Sequence, residues 1–418
     1  MTSPGQLPRF MSRKTPRLPS ACTAILFLAL TTLATHAAPA QTFTVLKSFG
    51  GIDGNLPGTP ILDKAGNVYG TTVEGGPGEY GGFGNVYKLS HAGSGWVFND
   101  LYDFTAHGDG AYPEYGGLTF GSDGTLYGTA SAEGEYGFGT IFNLRPPATF
   151  CRSVKCPWDL TVLYAFGAGH DGQYPNGKVV FDAVGNMYGT TYGGGDYGYG
   201  TVFMATRSGG TWTETVLHSF NKTDGATPTA GVVLDSAGNL YGTTNSGANG
   251  WGNVFELTPS GSGWIYQIVY TFTNGMDGRS PRGGLVLDGT GDLYGSAQDN
   301  GQNLGGTIFE LSPSNGGWTF NLLYSLSGNG GPADTLTFDT AGNLYGTNYA
   351  DGTYEAGSVF ELSPSGGGWV YTDLHDFTGG NDGKWPTGSV ALDSAGNIFG
   401  TTSQGGRSFS GVVFEIAR

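Results

Sequence analysis

The chain has 418 residues, of which 78 are glycine, 12% are charged and 13% are aromatic, with a formal net charge of −16. Glycine does not recur at every third position, which excludes collagen, and the aromatic content excludes a flexible linker or a disordered tail. Long helices are also excluded, because glycine costs about 1 kcal/mol per helical position relative to alanine, so a packed, turn-dense all-β protein remains.

Residues 1–40 read as a secretory signal peptide. Arg9, Arg13, Lys14 and Arg17 form a basic start without a single acid, Ala21 to Ala34 is apolar, and Ala38-Pro39-Ala40 offers a small-x-small cleavage site. The apolar run is shorter than the roughly 20 residues of a membrane span. Met11 offers a more compact start. Cleavage would remove four of the 18 basic residues and none of the 34 acids, leaving 14 against 34, a net charge of −20. Nucleic acid and anionic membrane surfaces are then poor partners. It would also leave two cysteines, Cys151 and Cys156, which in an exported chain read as a local disulfide.

From residue 41 onward one string recurs seven times, centred on Tyr69, Tyr127, Tyr188, Tyr241, Tyr294, Tyr345 and Phe399, at intervals of 51 to 61 residues. Each unit predicts four short strands. Strand a is an apolar run such as Gly231 to Leu234, and strand b is the Asn-Leu-Tyr-Gly-Thr-Thr string. Strand c follows a glycine-rich loop, as in Asn253 to Leu257, and strand d opens on a tryptophan, as in Trp264 to Phe272. Four strands in about 55 residues predict a β-propeller with seven blades of antiparallel strands over 41–418. The last unit stops after strand c at Val412 to Ile416, and an unpaired run, Phe43 to Phe49, precedes the first and matches the end of strand d elsewhere. Pairing the two closes the ring and leaves no exposed sheet edge at either terminus.

The Leu-Tyr-Gly-Thr-Thr string, the glycine-rich stretch, Val-Phe-Glu-Leu and the Leu-Tyr-Ser-Phe-like strand followed by Asp-Gly-x-x-Pro together resemble the GloVer (Gloeo_Verruco) tandem repeat of exported bacterial proteins. The resemblance covers residues 42–418. It implies secretion or surface display, in the periplasm or outside the cell, often through a C-terminal sorting anchor; this sequence ends at Arg418 directly after a strand. It implies no catalytic set.

Alternating strand direction puts the a–b turns on one face of the ring and the b–c and d–a loops on the other. The a–b turns carry Asp63, Asp182, Asp235, Asp288, Asp339 and Asp393, each three residues before a glycine, and read as turn-holding carboxylates. Six d–a linkers carry Asp-Gly-x-x-Pro, beginning at Asp53, Asp109, Asp171, Asp224, Asp277 and Asp382, and the sixth linker in order has Asn329-Gly330-Gly331-Pro332 instead. A carboxylate ring suggests calcium, but one Asp per loop without Asp-x-Asp spacing favours turn geometry, so no cofactor is expected. Aromatics gather on the same face. Phe83, Phe138, Tyr199 and Trp251 precede the glycine that opens strand c, Tyr136 and Tyr197 lie in the same loops, and Tyr112, Tyr174 and Trp385 lie in linkers. Each ring can pack between blades, but their one-sided placement suits stacking on sugars. Tyr112, Tyr136, Tyr174, Tyr197, Tyr199, Trp251 and Trp385 are therefore the candidate binding residues of a monomeric, non-enzymatic module for a glycan or cell-surface ligand. A lyase or glycoside hydrolase on this face is the alternative, with Glu133, Glu135 and Asp196 as its acids. A structural envelope protein without a small ligand is a third reading. His218 and His375 fall at the strand-d position of Tyr102, Tyr164, Tyr270 and Tyr324, and read as packing substitutions.

Overall fold

The computed structural model describes residues 41–418 except 77–81, 94, 114–116, 149–156, 248, 262, 329 and 333. The segment read as a signal peptide and the Cys151–Cys156 pair lie outside the described residues. Seven antiparallel sheets follow one another, and among the described residues there is no helix. Blade 3 is typical. Strands a to d span Val180–Phe181, Met187–Gly194, Thr201–Ser208 and Thr211–Ser219, and pair in that order. Strand a is shorter than the apolar run predicts: only two residues pair in each blade, because seven inner strands crowd around the ring axis. The seventh sheet takes its outer strand from Thr42–Ser48, which pairs with Val412–Ala417 from Thr42↔Ala417 to Ser48↔Val412. Seven blades and a closed ring result.

The core lies between blades rather than within them. Each cluster joins the strand-b aromatic of one blade to the strand-b and strand-c residues of the next, as Tyr241 joins Leu293, Phe309 and Leu311. The glycine after that aromatic is required by packing. A β-carbon on Gly242 or Gly189 would lie within 3 Å of the strand-c ring of Phe255 or Phe203. Blade 1 places Tyr87 where most blades have phenylalanine, and its hydroxyl is fully buried without a hydrogen-bond partner. Tyr87→Phe is therefore expected to stabilise the protein by about 1 to 2 kcal/mol, since an orphaned buried hydroxyl costs about that much. Denaturant midpoints of the two proteins measure it.

The a–b turns are built as the sequence suggests. Asp63 accepts from the amides of Ala65 and Asn67 at 2.9 Å each, from Asn67 Nδ2 at 2.7 Å and from the Tyr69 hydroxyl at 3.2 Å. Partial burial opposes its ionisation, but these hydrogen bonds outweigh it and hold the carboxyl below its ordinary range; Asp182, Asp288 and Asp339 behave alike.

Candidate functional site

The d–a linkers are staples between blades. Each Asp of Asp-Gly-x-x-Pro accepts a backbone amide from its own linker: Gly50 to Asp53 at 2.6 Å, Thr105 to Asp109 at 2.9 Å, Gly167 to Asp171 at 2.7 Å, Asn221 to Asp224 at 2.9 Å, Thr273 to Asp277 at 2.7 Å, and Thr378 to Asp382 at 2.9 Å. Each also meets one side chain near the end of the preceding strand d. Those partners are Lys47, Tyr102, Tyr164, His218, Tyr270 and His375, in ring order. The residue before the proline has a left-handed φ of 50 to 59° in all six linkers, although none is glycine. The strain is offset by an amide hydrogen bond to the previous blade's b–c loop, such as Tyr174 to the Phe138 carbonyl at 2.9 Å. No group of three or more His, Cys, Asp or Glu side chains among the described residues converges as a metal site would need.

A bulge near the end of each strand d reverses the facing of the side chains beyond it. The side chain that meets the linker Asp is thereby turned toward the next blade, whereas the residue four positions earlier faces the preceding one. The two meet at the outer rim. Lys47 sits 4.5 Å above Phe98, His218 stacks on Tyr266 at 3.9 Å, Tyr270 on Phe320 at 4.5 Å, Tyr324 on Tyr371 at 4.6 Å, and His375 on Phe43 at 3.8 Å. The residue at this earlier strand-d position pairs in register with a strand-c aliphatic in six blades: Leu89↔Phe98, Leu144↔Leu160, Leu257↔Tyr266, Leu311↔Phe320, Leu362↔Tyr371 and Ile416↔Phe43.

Blade 3 breaks both columns at once, with Ala205↔Glu214. A carboxyl replaces a ring and a fully buried alanine replaces a leucine, so Tyr164 of blade 2 has an acid as its neighbour. A groove of about 600 Å³ opens there, lined by Tyr164, His170, Asp171, Asp196, Tyr197 and Glu214. Glu214 Oε1 and Asp171 Oδ1 are buried without hydrogen-bond partners, while Asp171 Oδ2 accepts from the Tyr164 hydroxyl at 2.9 Å. His170 Nδ1 lies 2.5 Å from Asp196 Oδ1. Burial, reinforced by the charge of Asp171, pushes the Glu214 carboxyl up to about 8. A second cavity of about 940 Å³ follows the ring axis and is walled largely by strand a and linker residues. Its acid, Asp334, is held by Thr59 Oγ1 at 2.9 Å and the Ser389 amide at 2.8 Å, tying blades 6, 7 and 1 together.

Of the sequence candidates, Tyr197 and Asp196 line the groove. Tyr136 stands beside it at Gly167, the residue whose amide holds Asp171. Tyr136 and Tyr197 are 56% and 60% exposed, free for a ligand. Tyr174, 41% exposed, packs edge-on to Phe138 at 5.8 Å, and Tyr112 packs on Phe83 at 6.1 Å. Tyr199 and Trp251 are half-buried against inter-blade clusters, with the Arg279 guanidinium 5.4 Å above Trp251. Trp385 stacks on Tyr349 at 5.5 Å. The seven are therefore spread around the ring. Glu133 and Glu135 are absent from the groove lining, and Glu135 acts instead on the neighbouring Tyr136 hydroxyl, which it raises. Sequence reasoning missed Glu214. Its signal was present in the strand-d column Phe43, Phe98, Leu160, Glu214, Tyr266, Phe320, Tyr371, where it is the one polar acid.

The raised carboxyl sets a pH dependence. The folded state keeps a proton on Glu214 that the unfolded chain has lost above its ordinary value of 4.5, so its contribution to stability falls as pH rises from about 5 to 8. Glu214→Gln is expected to flatten this limb, raising stability at pH 8 and leaving it little changed near pH 4. Melting temperatures of both proteins across that range decide it.

The Gloeobacter/Verrucomicrobia repeat model matches residues 31–156, 153–289 and 245–418, and the chain belongs to that family. No curated protein matches it. Among solved structures, it is similar to a protein from Bacteroides uniformis described as a candidate 6-phosphogluconolactonase, at 14% identity over 76% of this chain and 83% of that one, TM-score 0.49. It is also similar to a gluconolactonase from Xanthomonas campestris, at 15% identity over 71% and 83%, TM-score 0.41. A protein of unknown function from Dyadobacter fermentans aligns at 13% identity over 80% and 98%, TM-score 0.43.

Proposed function

We propose that the protein is an exported, monomeric carbohydrate-binding propeller that works without a cofactor and holds its ligand at the groove between blades 2 and 3. The observation that carries this reading is the groove in which Glu214 interrupts the strand-d column of rings and aliphatics, beside the exposed Tyr136 and Tyr197. Exposed tyrosines supply flat faces for the apolar side of a sugar, and carboxylates and histidine take its hydroxyls. The groove lining contains no Lys or Arg, so anionic ligands fit poorly. Binding of the purified protein to a glycan array and to polysaccharide affinity gels tests the reading. Tyr136→Ala/Tyr197→Ala is expected to weaken retention at least tenfold, and unchanged retention would remove these residues from the site.

A second reading, cleavage of a glycosidic bond, draws support from Glu214, whose carboxyl is pushed up to about 8 by burial and the charge of Asp171, as a general acid needs. Release of new reducing ends from a bound polysaccharide, lost in Glu214→Gln, would favour it over binding alone.

A further inference from the structure

We infer that the cavity along the ring axis is a binding site for an amphipathic carboxylate, with its anionic head between Lys178 and Arg282 and its apolar body along strand a. This site is separate from the groove between blades 2 and 3 and goes beyond the carbohydrate reading.

The wall of the cavity comes from register. Its space of about 940 Å³ is lined in six blades by the first residue of strand a: Ile61, Val180, Val233, Val286, Thr337 and Ala391. All but Thr337 are apolar, and Thr337 spends its hydroxyl on the Val390 carbonyl at 2.6 Å. Each stays partly uncovered, although it sits at the centre of the ring. Apolar surface left to water costs about 25 cal/mol per Å², so an apolar occupant is favoured. The volume lies within the roughly 300 to 1,000 Å³ of small-molecule sites. The lining stops at the second residues of strand a, such as Leu62 and Leu392, and includes none of the a–b turn aspartates. Its charged side chains therefore gather at the loop-face end, where Lys178, Arg282 and Asp334 precede strand a of blades 3, 5 and 6.

The head group follows from these charges. Lys178 and Arg282 are exposed, and among the described residues neither forms an ion pair, in a chain with 34 acids against 18 basic residues. Lys47, Arg145, Arg279 and Arg418 each pair with a carboxylate instead. Blade 4 brings the two cations together. The Thr229 hydroxyl donates to the Arg282 carbonyl at 2.9 Å, and a β-carbon on Gly231 would lie 2.3 Å from the Lys178 carbonyl. Lys178 and Arg282 therefore flank the segment from Thr229 to Gly231, which itself lines the cavity. Asp334 is the one acid of the described lining, and both its oxygens are taken. It accepts from the Thr335 amide at 2.6 Å, the Thr59 hydroxyl at 2.9 Å and the Ser389 amide at 2.8 Å. Burial pushes its carboxyl up, which lessens the negative charge an anion meets there. A guanidinium binds a carboxylate through two parallel hydrogen bonds and an ammonium adds a point charge, so this pair suits a carboxylate head.

Isothermal titration calorimetry with octanoate is the direct probe, with acetate as a head without a body and 1-octanol as a body without a head. Octanoate is expected to bind saturably, and acetate and octanol at least tenfold more weakly. Lys178→Gln/Arg282→Gln is expected to weaken octanoate at least tenfold and to leave polysaccharide binding unchanged, while its melting temperature checks the fold. Val233→Thr, which keeps the shape of the wall and adds a hydroxyl, is expected to weaken octanoate as well, and undiminished affinity there would remove strand a from the site. No saturable octanoate binding by the wild type, or equal affinity in a folded Lys178→Gln/Arg282→Gln, would overturn the site and leave the carbohydrate reading standing. Acetate bound as tightly as octanoate would overturn the amphipathic ligand.

Discussion

Removing residues 41–49 is expected to abolish the cooperative monomeric fold. That segment is the whole outer strand of blade 7 and pairs along Val412–Ala417. Phe43 stacks on His375 at 3.8 Å and lies 5.4 Å from Phe414, while Phe49 is fully buried in the cluster with Val68 and Tyr87 at the junction of blades 7 and 1. Truncating one buried phenylalanine costs about 3 to 5 kcal/mol, and a whole domain is stable by only about 5 to 15 kcal/mol. Losing the buried Phe49 and the half-buried Phe43 together with a strand ladder therefore exceeds what the ring can absorb. It would also expose the strand Val412–Ala417 as an open edge, which pairs with other chains. Circular dichroism and size-exclusion chromatography of the truncated protein should show unfolded or associated material. A monomer that melts cooperatively near the wild-type temperature would show that closure is dispensable.

Gly252→Ala is expected to destabilise the protein by at least about 3 kcal/mol, far more than a glycine substitution in an open turn. Gly252 opens strand c of blade 4 with φ at 92°, and a β-carbon there would fall within 3 Å of both Pro281 on the next linker and the Thr244 carbonyl. Proline and carbonyl are both rigid, so neither can give way. Gly396 provides the control: its φ is 86°, but nothing lies within 4 Å of where the β-carbon would stand. Gly396→Ala carries the left-handed backbone term alone, about 1 kcal/mol. Denaturant unfolding of the two variants separates backbone conformation from blade-to-blade contact. Equal losses would mean that the linker proline does not press on the neighbouring blade. The same arrangement recurs at Gly84, Gly139, Gly200, Gly357 and Gly411 against Pro113, Pro175, Pro228, Pro386 and Pro57, so the expectation extends around the ring.

The linker aspartates illustrate how far local reading reaches. Their role in turn geometry was visible from Asp-Gly-x-x-Pro, because the amide each one accepts lies a few residues away. The second partner was not, because Lys47, Tyr102, Tyr164, His218, Tyr270 and His375 reach the carboxylates only after the strand-d bulge turns them. The histidines at that position, read as packing substitutions, stack as tyrosine does elsewhere and lie near the same carboxylate. The aromatics singled out by their one-sided placement divide by exposure: Tyr136 and Tyr197 stand free, whereas Tyr199 and Trp251 pack partly into the seams between blades. Exposure depends on how close the next blade approaches, and no window within one repeat contains that distance.

The architecture was legible from the chain alone. Strand and turn periodicity act within a few residues, the repeat multiplies them seven times, and a missing last strand with an unpaired first one leaves a single way to complete the ring. The position of the groove was decided by tertiary structure. Glu214 is an unremarked member of an alternating strand until the neighbouring blade brings Tyr164 and Asp171 beside it. A site formed where two units meet belongs to neither unit's local pattern, because the forces that shape it, burial and the desolvation of an unpartnered carboxyl, arise only when the two surfaces come together.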